Sequence, residues 1–138
     1  MAGLEFDFTD LLQLGDDLER APESLPRRVR QAVEVTSRNV KDSARGKVRG
    51  RKLLGQAAAA IDYELTGSSG DVSGISAEIG YQKGGVGDLG NLVEFGAPGG
   101  THPIGPGGEL QDALAENADD LEQGVTKAVS DALREAGL

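Results

Sequence analysis

Two long segments of the chain carry small and apolar residues at the spacing of an amphipathic helix. The first begins at Ser24-Leu25-Pro26, which offers a capping hydroxyl and a proline suited to a first helical turn. The second begins at Glu109 and ends at Gly137. The pattern predicts a long helix in each segment. The stripe positions are Val29, Val33, Thr36, Val40, Ala44 and Val48, then Leu110, Ala113, Leu114, Asn117, Leu121, Val125, Ala128, Val129, Ala132, Leu133 and Ala136.

Between these helices the period changes from helical spacing to alternation. Residues 61–65 and 75–81 alternate apolar and polar positions and are separated by Gly67-Ser68-Ser69-Gly70, which predicts an antiparallel hairpin. Residues 92–95 are predicted to add a third, short strand. Residues 51–60 fit either a helix or an extension of the first strand. The expected fold is α+β: a long N-terminal helix, a small antiparallel sheet of about three strands, and a long C-terminal helix packed on the sheet.

The rest of the chain is expected to complete a single domain over residues 1–138. Residues 1–23 form an acidic N-terminal segment in which Leu11, Leu12, Leu14 and Leu18 suggest a short helix. Residues 84–108 contain ten glycines and three prolines. Because glycine loses more conformational freedom on ordering than other residues do, we expect a flexible loop here that a partner would fix.

The net charge of −9 conceals an uneven distribution of charge. Residues 25–52 hold ten of the fourteen basic residues and only two acids, whereas the segments on either side are acidic. A basic segment between acidic ones can pair within its own chain or with the acidic surface of a neighbour. The ten bases are Arg27, Arg28, Arg30, Arg38, Lys41, Arg45, Lys47, Arg49, Arg51 and Lys52.

Candidate chemistry is sparse along the sequence. The chain has no cysteine, which excludes disulfides and thiolate metal sites, and His102 is its single histidine. The run Gly85-Val86-Gly87-Asp88-Leu89-Gly90 fits a dinucleotide fingerprint, but the residues after it do not predict the helix that would hold a pyrophosphate. The carboxylates Asp119, Asp120 and Glu122 are expected to be solvated on a helix face. We therefore predict no cofactor, no metal, no small-molecule ligand and no enzymatic activity.

No apolar run is long enough to span a membrane, and residues 1–10 carry acids without a basic signal-like start. We expect a protein made in a reducing cytoplasm, with no membrane partner.

The order of elements resembles a known family. Leu54-Gly55-Gln56 before residues 61–65, the segment Leu92-Val93-Glu94-Phe95-Gly96-Ala97, the loop Pro103-Ile104-Gly105-Pro106 and the helix start at 110–117 are similar to the small tail-completion and head–tail joining proteins of long-tailed bacteriophages (siphophages). The resemblance covers roughly residues 20–136. Many members of that family have a bulky apolar and a basic residue between the loop prolines, where this chain has Ile104-Gly105.

The resemblance implies a virion structural protein at the head–tail junction or tail end, acting in tail completion, tail termination or head-to-tail connection. It would assemble as a homo-oligomeric ring, contact connector and tail-tube proteins, and lie near genomic DNA without binding it specifically. Its location would be the virion, after synthesis in the host cytoplasm. The predicted interface residues are Arg27, Arg28, Arg30, Arg38, Arg45, Glu94, Phe95, Pro103, Ile104 and Pro106.

Two alternatives belong to other classes of protein. The basic helix 27–52 could contact phosphates in a small nucleic-acid-binding protein, although it lacks an aromatic residue for stacking on bases. A hydrolase acting through His102 is the other alternative, but no nucleophile-elbow sequence accompanies this histidine.

Overall fold

The computed structural model describes residues 24–67, 74–97, 99 and 105–137, together with the backbone of residues 2–7. The elements in chain order are β1 (Ala2–Asp7), α1 (Ser24–Arg49), a 3₁₀ helix (Gly55–Ala60), β2 (Ile61–Thr66), β3 (Ser76–Tyr81), a second 3₁₀ helix (Gly85–Leu89), α2 (Gly90–Phe95) and α3 (Glu109–Glu135). The short helix predicted over Leu11–Leu18 lies outside the described residues.

The two long helices are confirmed, and they pack side by side in opposite directions. Arg28 near the start of α1 pairs with Glu135 at the end of α3, whereas Lys47 near the end of α1 reaches Glu116 at 2.6 Å. The whole predicted stripe of α1 is buried. On α3 the predicted stripe is buried at Leu110, Ala113, Val125, Ala128 and Ala132, and mostly half-buried elsewhere. The apolar periodicity thus identified the faces that meet.

The sheet is small and antiparallel, with strand order β1-β3-β2. The predicted hairpin is confirmed: β2 pairs with β3, and Tyr63 stands opposite Ile79. Strand β1 pairs with the other edge of β3, with Ala2 opposite Tyr81. Alternation places Ala77, Ile79 and Tyr81 in the core, where Ile61 joins them.

The prediction that the C-terminal helix packs on the sheet is wrong, because the main partner of this helix is α1. Helix α3 packs chiefly along α1, and it is α1 that lies against β2 and β3. The reason is the width of the apolar surface on α1. Its buried residues include Val33, Thr36, Ser37 and Val40, a band wide enough to meet the sheet on one side and α3 on the other. The buried Ser37 hydroxyl is satisfied because it donates to the Val33 carbonyl oxygen at 2.7 Å.

The predicted third strand at residues 92–95 is also wrong, because this segment is the last part of helix α2. A strand would place Val93 and Phe95 on one face, but Val93 is fully buried and Phe95 is 72% exposed. Gly96 ends the helix at φ +73°, and its N–H donates to the Leu92 carbonyl oxygen at 2.9 Å. This left-handed conformation favours glycine.

The Gly-rich segment 84–108 is therefore not one irregular loop. Its first half folds into the second 3₁₀ helix and α2, where Gly87 and Gly90 pack closely against the end of β3. Residues 51–60, which the sequence left open, form a turn followed by the first 3₁₀ helix rather than an extension of β2.

Candidate functional site

Glu94 caps helix α3 from outside that helix. Gly108 at the N-cap has no side chain, so the amide groups of the first turn need another acceptor. The Glu94 carboxylate accepts hydrogen bonds from the Leu110 N–H at 3.0 Å and from the Gln111 N–H at 3.2 Å. The carboxylate is buried, and the positive end of the helix dipole favours its charge. Glu94, predicted as an interface residue, thus has an internal structural role.

Backbone bonds bring the two ends of the following loop together at the same place. The Gly107 N–H donates to the Val93 carbonyl oxygen and the Gly108 N–H to the Glu94 carbonyl oxygen, both at 3.1 Å. The chain therefore leaves α2 and returns to the same point before α3 begins. Residues 98, 100–104 of this loop, which include the predicted interface residues Pro103 and Ile104 and also His102, lie outside the described residues. Pro106 is exposed at the returning end.

Arg51, which follows the end of α1, binds both α2 and the start of α3. Its Nε donates to Glu109 Oε1 at 2.5 Å, and its Nη2 donates to the Val93 carbonyl oxygen at 3.1 Å. The ion pair between Arg51 and Glu109 lies so close to Gly107 that a Cβ at Gly107 would overlap the Arg51 guanidinium and the Glu109 carboxylate. We call Arg51, Val93, Glu94, Gly107 and Glu109 the junction cluster. It holds α1, α2 and α3 in one fixed arrangement.

Tyr81 lies beside the junction cluster at the end of β3. Its side chain is 4% exposed, and its hydroxyl has no hydrogen-bond partner among the described residues. Burial, and then the negative charges of Glu109 and Glu94, raise the pKa of Tyr81 well above its ordinary value. The ring also accounts for Gly90, because a Cβ there would overlap it. Tyr81 is thus a neutral core residue at neutral pH.

These close approaches account for two glycines of the dinucleotide-like run. A Cβ at Gly87 would overlap the Gln82 carbonyl oxygen, as one at Gly90 would overlap the Tyr81 ring. Asp88, within the run, accepts a hydrogen bond from the Gly84 N–H at 2.9 Å. The preceding strand belongs to an antiparallel sheet, and the following helix has six residues, so the βαβ frame of a dinucleotide site is lacking in the described chain.

Large apolar side chains are exposed at the junction-cluster end of the molecule. Phe95 is 72% exposed, Leu53 is 87% exposed and Val86 is 37% exposed. Leu53 follows Arg51 by two positions and Phe95 follows Val93 by two, and the Arg51–Val93 bond holds these segments together. We call Leu53, Val86 and Phe95 the apolar end. Single exposed apolar side chains are common on protein surfaces, and they mark a contact with another protein where they form one patch.

Most of the basic segment is neutralised within the chain. Six of its ten bases contact an acid or a carbonyl oxygen of the described residues. Among the predicted interface residues, Arg28 pairs with Asp131 and Glu135, and the exposed Arg38 is 3.6 Å from Glu34. Arg45 donates to the Ile61 carbonyl oxygen at 2.9 Å and so fixes the start of β2. Each of these arginines therefore has a partner within its own chain.

Ion pairs and hydrogen bonds shift the pKa values of Asp62, Lys47 and Glu116. The Tyr63 backbone N–H, which donates to Asp62 at 2.9 Å, and the Lys41 ammonium at 3.1 Å hold the pKa of Asp62 below its ordinary value. The hydrogen bond between Lys47 and Glu116 raises the pKa of Lys47 and lowers that of Glu116. The Lys41–Asp62 pair links α1 to the sheet, and the Lys47–Glu116 pair links α1 to α3.

The remaining four bases make no ion pair with the described part of the chain, and they fall into two groups. Arg27 and Arg30 lie at the start of α1, whereas Arg49 is its last residue and Lys52 lies in the turn that follows. At 1.5 Å per residue the two groups are about 30 Å apart. This arrangement offers two separate basic patches rather than one continuous track for a phosphate backbone.

An open groove of about 540 Å³ runs between α1 and α3. Its floor contains the small residues Ala32, Gly124 and Ala128, and Val35, which is 47% exposed, stands on one side. Gln31, Asn39, Asp120, Gln123 and Lys127 line its rim. Nothing in the sequence pattern revealed this groove, because it results from the small side chains at the crossing of the two helices.

Among the described residues, no three histidine, cysteine or carboxylate side chains lie close enough together to hold a metal ion. Neither long helix offers the apolar run that crossing a bilayer requires, and the same holds for the other described helices. Comparisons with protein-family models, curated proteins and solved structures found no match for this chain.

Proposed function

We propose that this protein is a structural subunit of the head–tail junction or tail end of a siphophage. In this role it would complete or terminate the tail or connect it to the head, as one copy in a ring of identical subunits. Its partners would be further copies of itself and the neighbouring connector or tail-tube proteins. Its work is binding, with no chemical reaction.

The observation that carries this proposal is the apolar end. Leu53 and Phe95 expose most of their surface, yet the segments that bear them are held by the junction cluster, in which Val93 and Glu94 are buried. Apolar groups that are exposed together on a rigid support mark a surface that a partner covers, which favours an assembly component over a free monomer. Rigid presentation also reduces the entropy cost of association.

The distribution of charge supports assembly between identical copies. Arg49 and Lys52 beside the apolar end make no ion pair in the described chain, and the same is true of Asp119, Asp120 and Glu122 on α3. Opposite charges on separate surfaces of one molecule attract successive copies head to tail, and such contacts close into rings when the rotation permits. The overall acidity would meanwhile keep passing DNA from adhering.

Electron microscopy of the purified protein, with light scattering on the same sample, tests the proposal. At low ionic strength we expect annular particles of one size, and at high ionic strength we expect their dissociation, because salt screens exposed charges beyond a Debye length of about 10 Å at 0.1 M. A particle of single-chain mass under all conditions and concentrations would refute the proposed ring.

A DNA-retention experiment on the same purified protein distinguishes the proposed structural role from nucleic-acid binding. Retention on duplex DNA at moderate salt, lost when Arg27, Arg28 and Arg30 are replaced by alanine, would favour that alternative. We expect no such retention, since Arg28 is already paired with Asp131 and Glu135.

A further inference from the structure

We infer that Arg45 and Asp62 close the outer edge of β2 against strands of other chains, so that copies of this protein do not associate by extending the sheet. Strand β2 lies at one edge of the sheet. An edge strand presents N–H and C=O groups to which an extended segment of another chain can add. The inference goes beyond the proposed function, because it names a surface that association avoids. We call Arg45 and Asp62 the edge cap.

The direction of the backbone groups of β2 follows from its pairing with β3. The Gln82 N–H donates to the Ala60 carbonyl oxygen at 2.8 Å, one position before the ladder of β2 and β3 begins. In an antiparallel ladder, successive residues of a strand direct their backbone groups alternately to its two sides. Every second residue from Ala60 therefore bonds toward β3. The residues between them, which direct their groups to the outer edge, are Ile61, Tyr63 and Leu65.

The first groups of this outer edge are bonded within the chain. The Ile61 N–H donates to the Ala58 carbonyl oxygen. The Ile61 carbonyl oxygen accepts from Arg45 Nε at 2.9 Å, a bond that comes from α1. The Tyr63 N–H donates to Asp62 Oδ1 at 2.9 Å. A strand that added here would displace these bonds before it formed its own, which removes most of the gain in hydrogen bonding.

Other contacts hold the two side chains of the edge cap in place. Lys41 on α1 lies 3.1 Å from Asp62 Oδ1, and the Gln82 side-chain amide donates to Asp62 Oδ2 at 3.1 Å. Arg45 Nη2 donates to the Ala59 carbonyl oxygen at 3.3 Å. Each side chain of the edge cap therefore has an anchor besides its bond to the edge.

The part of the edge beyond the cap is short. In the described chain, the Tyr63 carbonyl oxygen and the backbone groups of Leu65 make no backbone bond outside the sheet. These groups cover residues 63–65, which is the lower limit of strand length at about three residues. Loss of the edge cap would open the whole of β2, and its six residues are a typical strand length.

Removal of the edge cap by Arg45→Met with Asp62→Ala tests this inference. Methionine keeps an unbranched apolar side chain without donors, and alanine has no acceptor. The assay is run in high salt, where the proposed ring dissociates. We expect the folded double variant to form multimers joined through β2, and thioflavin T fluorescence to rise on the order of tenfold over wild type, because two hydrogen bonds no longer compete with strand addition. Amide hydrogen exchange should slow at Leu65 in the multimers.

Two controls separate strand addition from a general loss of stability. Lys47→Met with Glu116→Ala makes the same kinds of substitution in an ion pair between α1 and α3, away from β2, and we expect no multimers. Both double variants are compared where thermal denaturation shows the same folded fraction. Asp62→Asn keeps an acceptor oxygen for the Tyr63 N–H and should behave as wild type.

The outcomes decide the inference independently of the ring. Equal thioflavin T fluorescence for the edge-cap variant and the Lys47 control would overturn it, as would a folded edge-cap variant that remains a single chain at every concentration. Where the double variant does not fold, Asp62→Ala is compared with Asp62→Asn in the same assay, and equal behaviour of these two would overturn the inference. Wild-type rings at low salt are compatible with either result, so the proposed function is tested separately.

Discussion

Replacing Glu94 by alanine is expected to lower the free energy of unfolding by about 2–3 kcal/mol. The Glu94 carboxylate accepts from two backbone N–H groups of α3, at Leu110 and Gln111. Leu110 is buried, so its N–H is left without an acceptor in the variant, at a cost of about 1–3 kcal/mol. Gln111 is exposed, and water can replace its partner. Loss of the charge at the positive end of the helix dipole adds about 0.3–1 kcal/mol.

Urea denaturation monitored by circular dichroism measures this change. We expect a lower midpoint with an unchanged m-value, because the surface exposed on unfolding is nearly the same. Glu94→Gln should lie between wild type and Glu94→Ala, since the amide keeps one acceptor oxygen and loses the charge. The matched control is Glu122→Ala, which removes an exposed carboxylate from α3 and should change stability by less than about 0.5 kcal/mol. Equal midpoints for Glu94→Ala and its control would refute the capping role.

Three further predictions concern the same framework. In urea denaturation, Gly107→Ala should lower the free energy of unfolding by more than about 1 kcal/mol, because the new Cβ overlaps the Arg51–Glu109 pair. Gly46→Ala should raise it by about 0.5–1 kcal/mol, because its Cβ would meet no neighbouring group within 4 Å and alanine is the better helix former. A stabilising Gly107→Ala together with a destabilising Gly46→Ala would contradict both predictions. Tyr81 has a raised pKa in the folded state, so its contribution to stability is intact below pH 10 and is lost as pH rises above that value, when the unfolded chain ionises first. Tyr81→Phe should therefore flatten the fall of stability above pH 10 measured by thermal denaturation, and an unchanged alkaline profile would argue against this assignment.

The regular elements with long patterns were predictable from the sequence. The stripe of α1 and that of α3 repeat over many turns, and the alternation of β2 and β3 extends over enough residues to fix which side faces the core. In contrast, residues 92–95 offer four positions, too few to separate a strand from a helical turn. Their helical form depends on close approaches that no local pattern contains, above all Gly90 against the Tyr81 ring.

The candidate site was only partly accessible from the sequence. Phe95 was predicted as a contact residue and is exposed on a rigid support, which agrees with that role without testing it. Glu94 was assigned to the same surface, yet it is an internal cap. A signal was present: Gly107-Gly108-Glu109 starts a helix without a capping side chain, so another acceptor had to satisfy its first amide groups. The partners of Arg28, Arg45 and Arg51 depend on distant contacts that spacing does not determine.

Native mass spectrometry of the unmodified protein at low ionic strength measures directly whether identical copies assemble into a closed ring. We expect one oligomer whose mass is a fixed whole-number multiple of the 14.3 kDa chain, and we expect it to dissociate into single chains as the salt concentration is raised. A spectrum containing only the 14.3 kDa species at every protein concentration and ionic strength would contradict it.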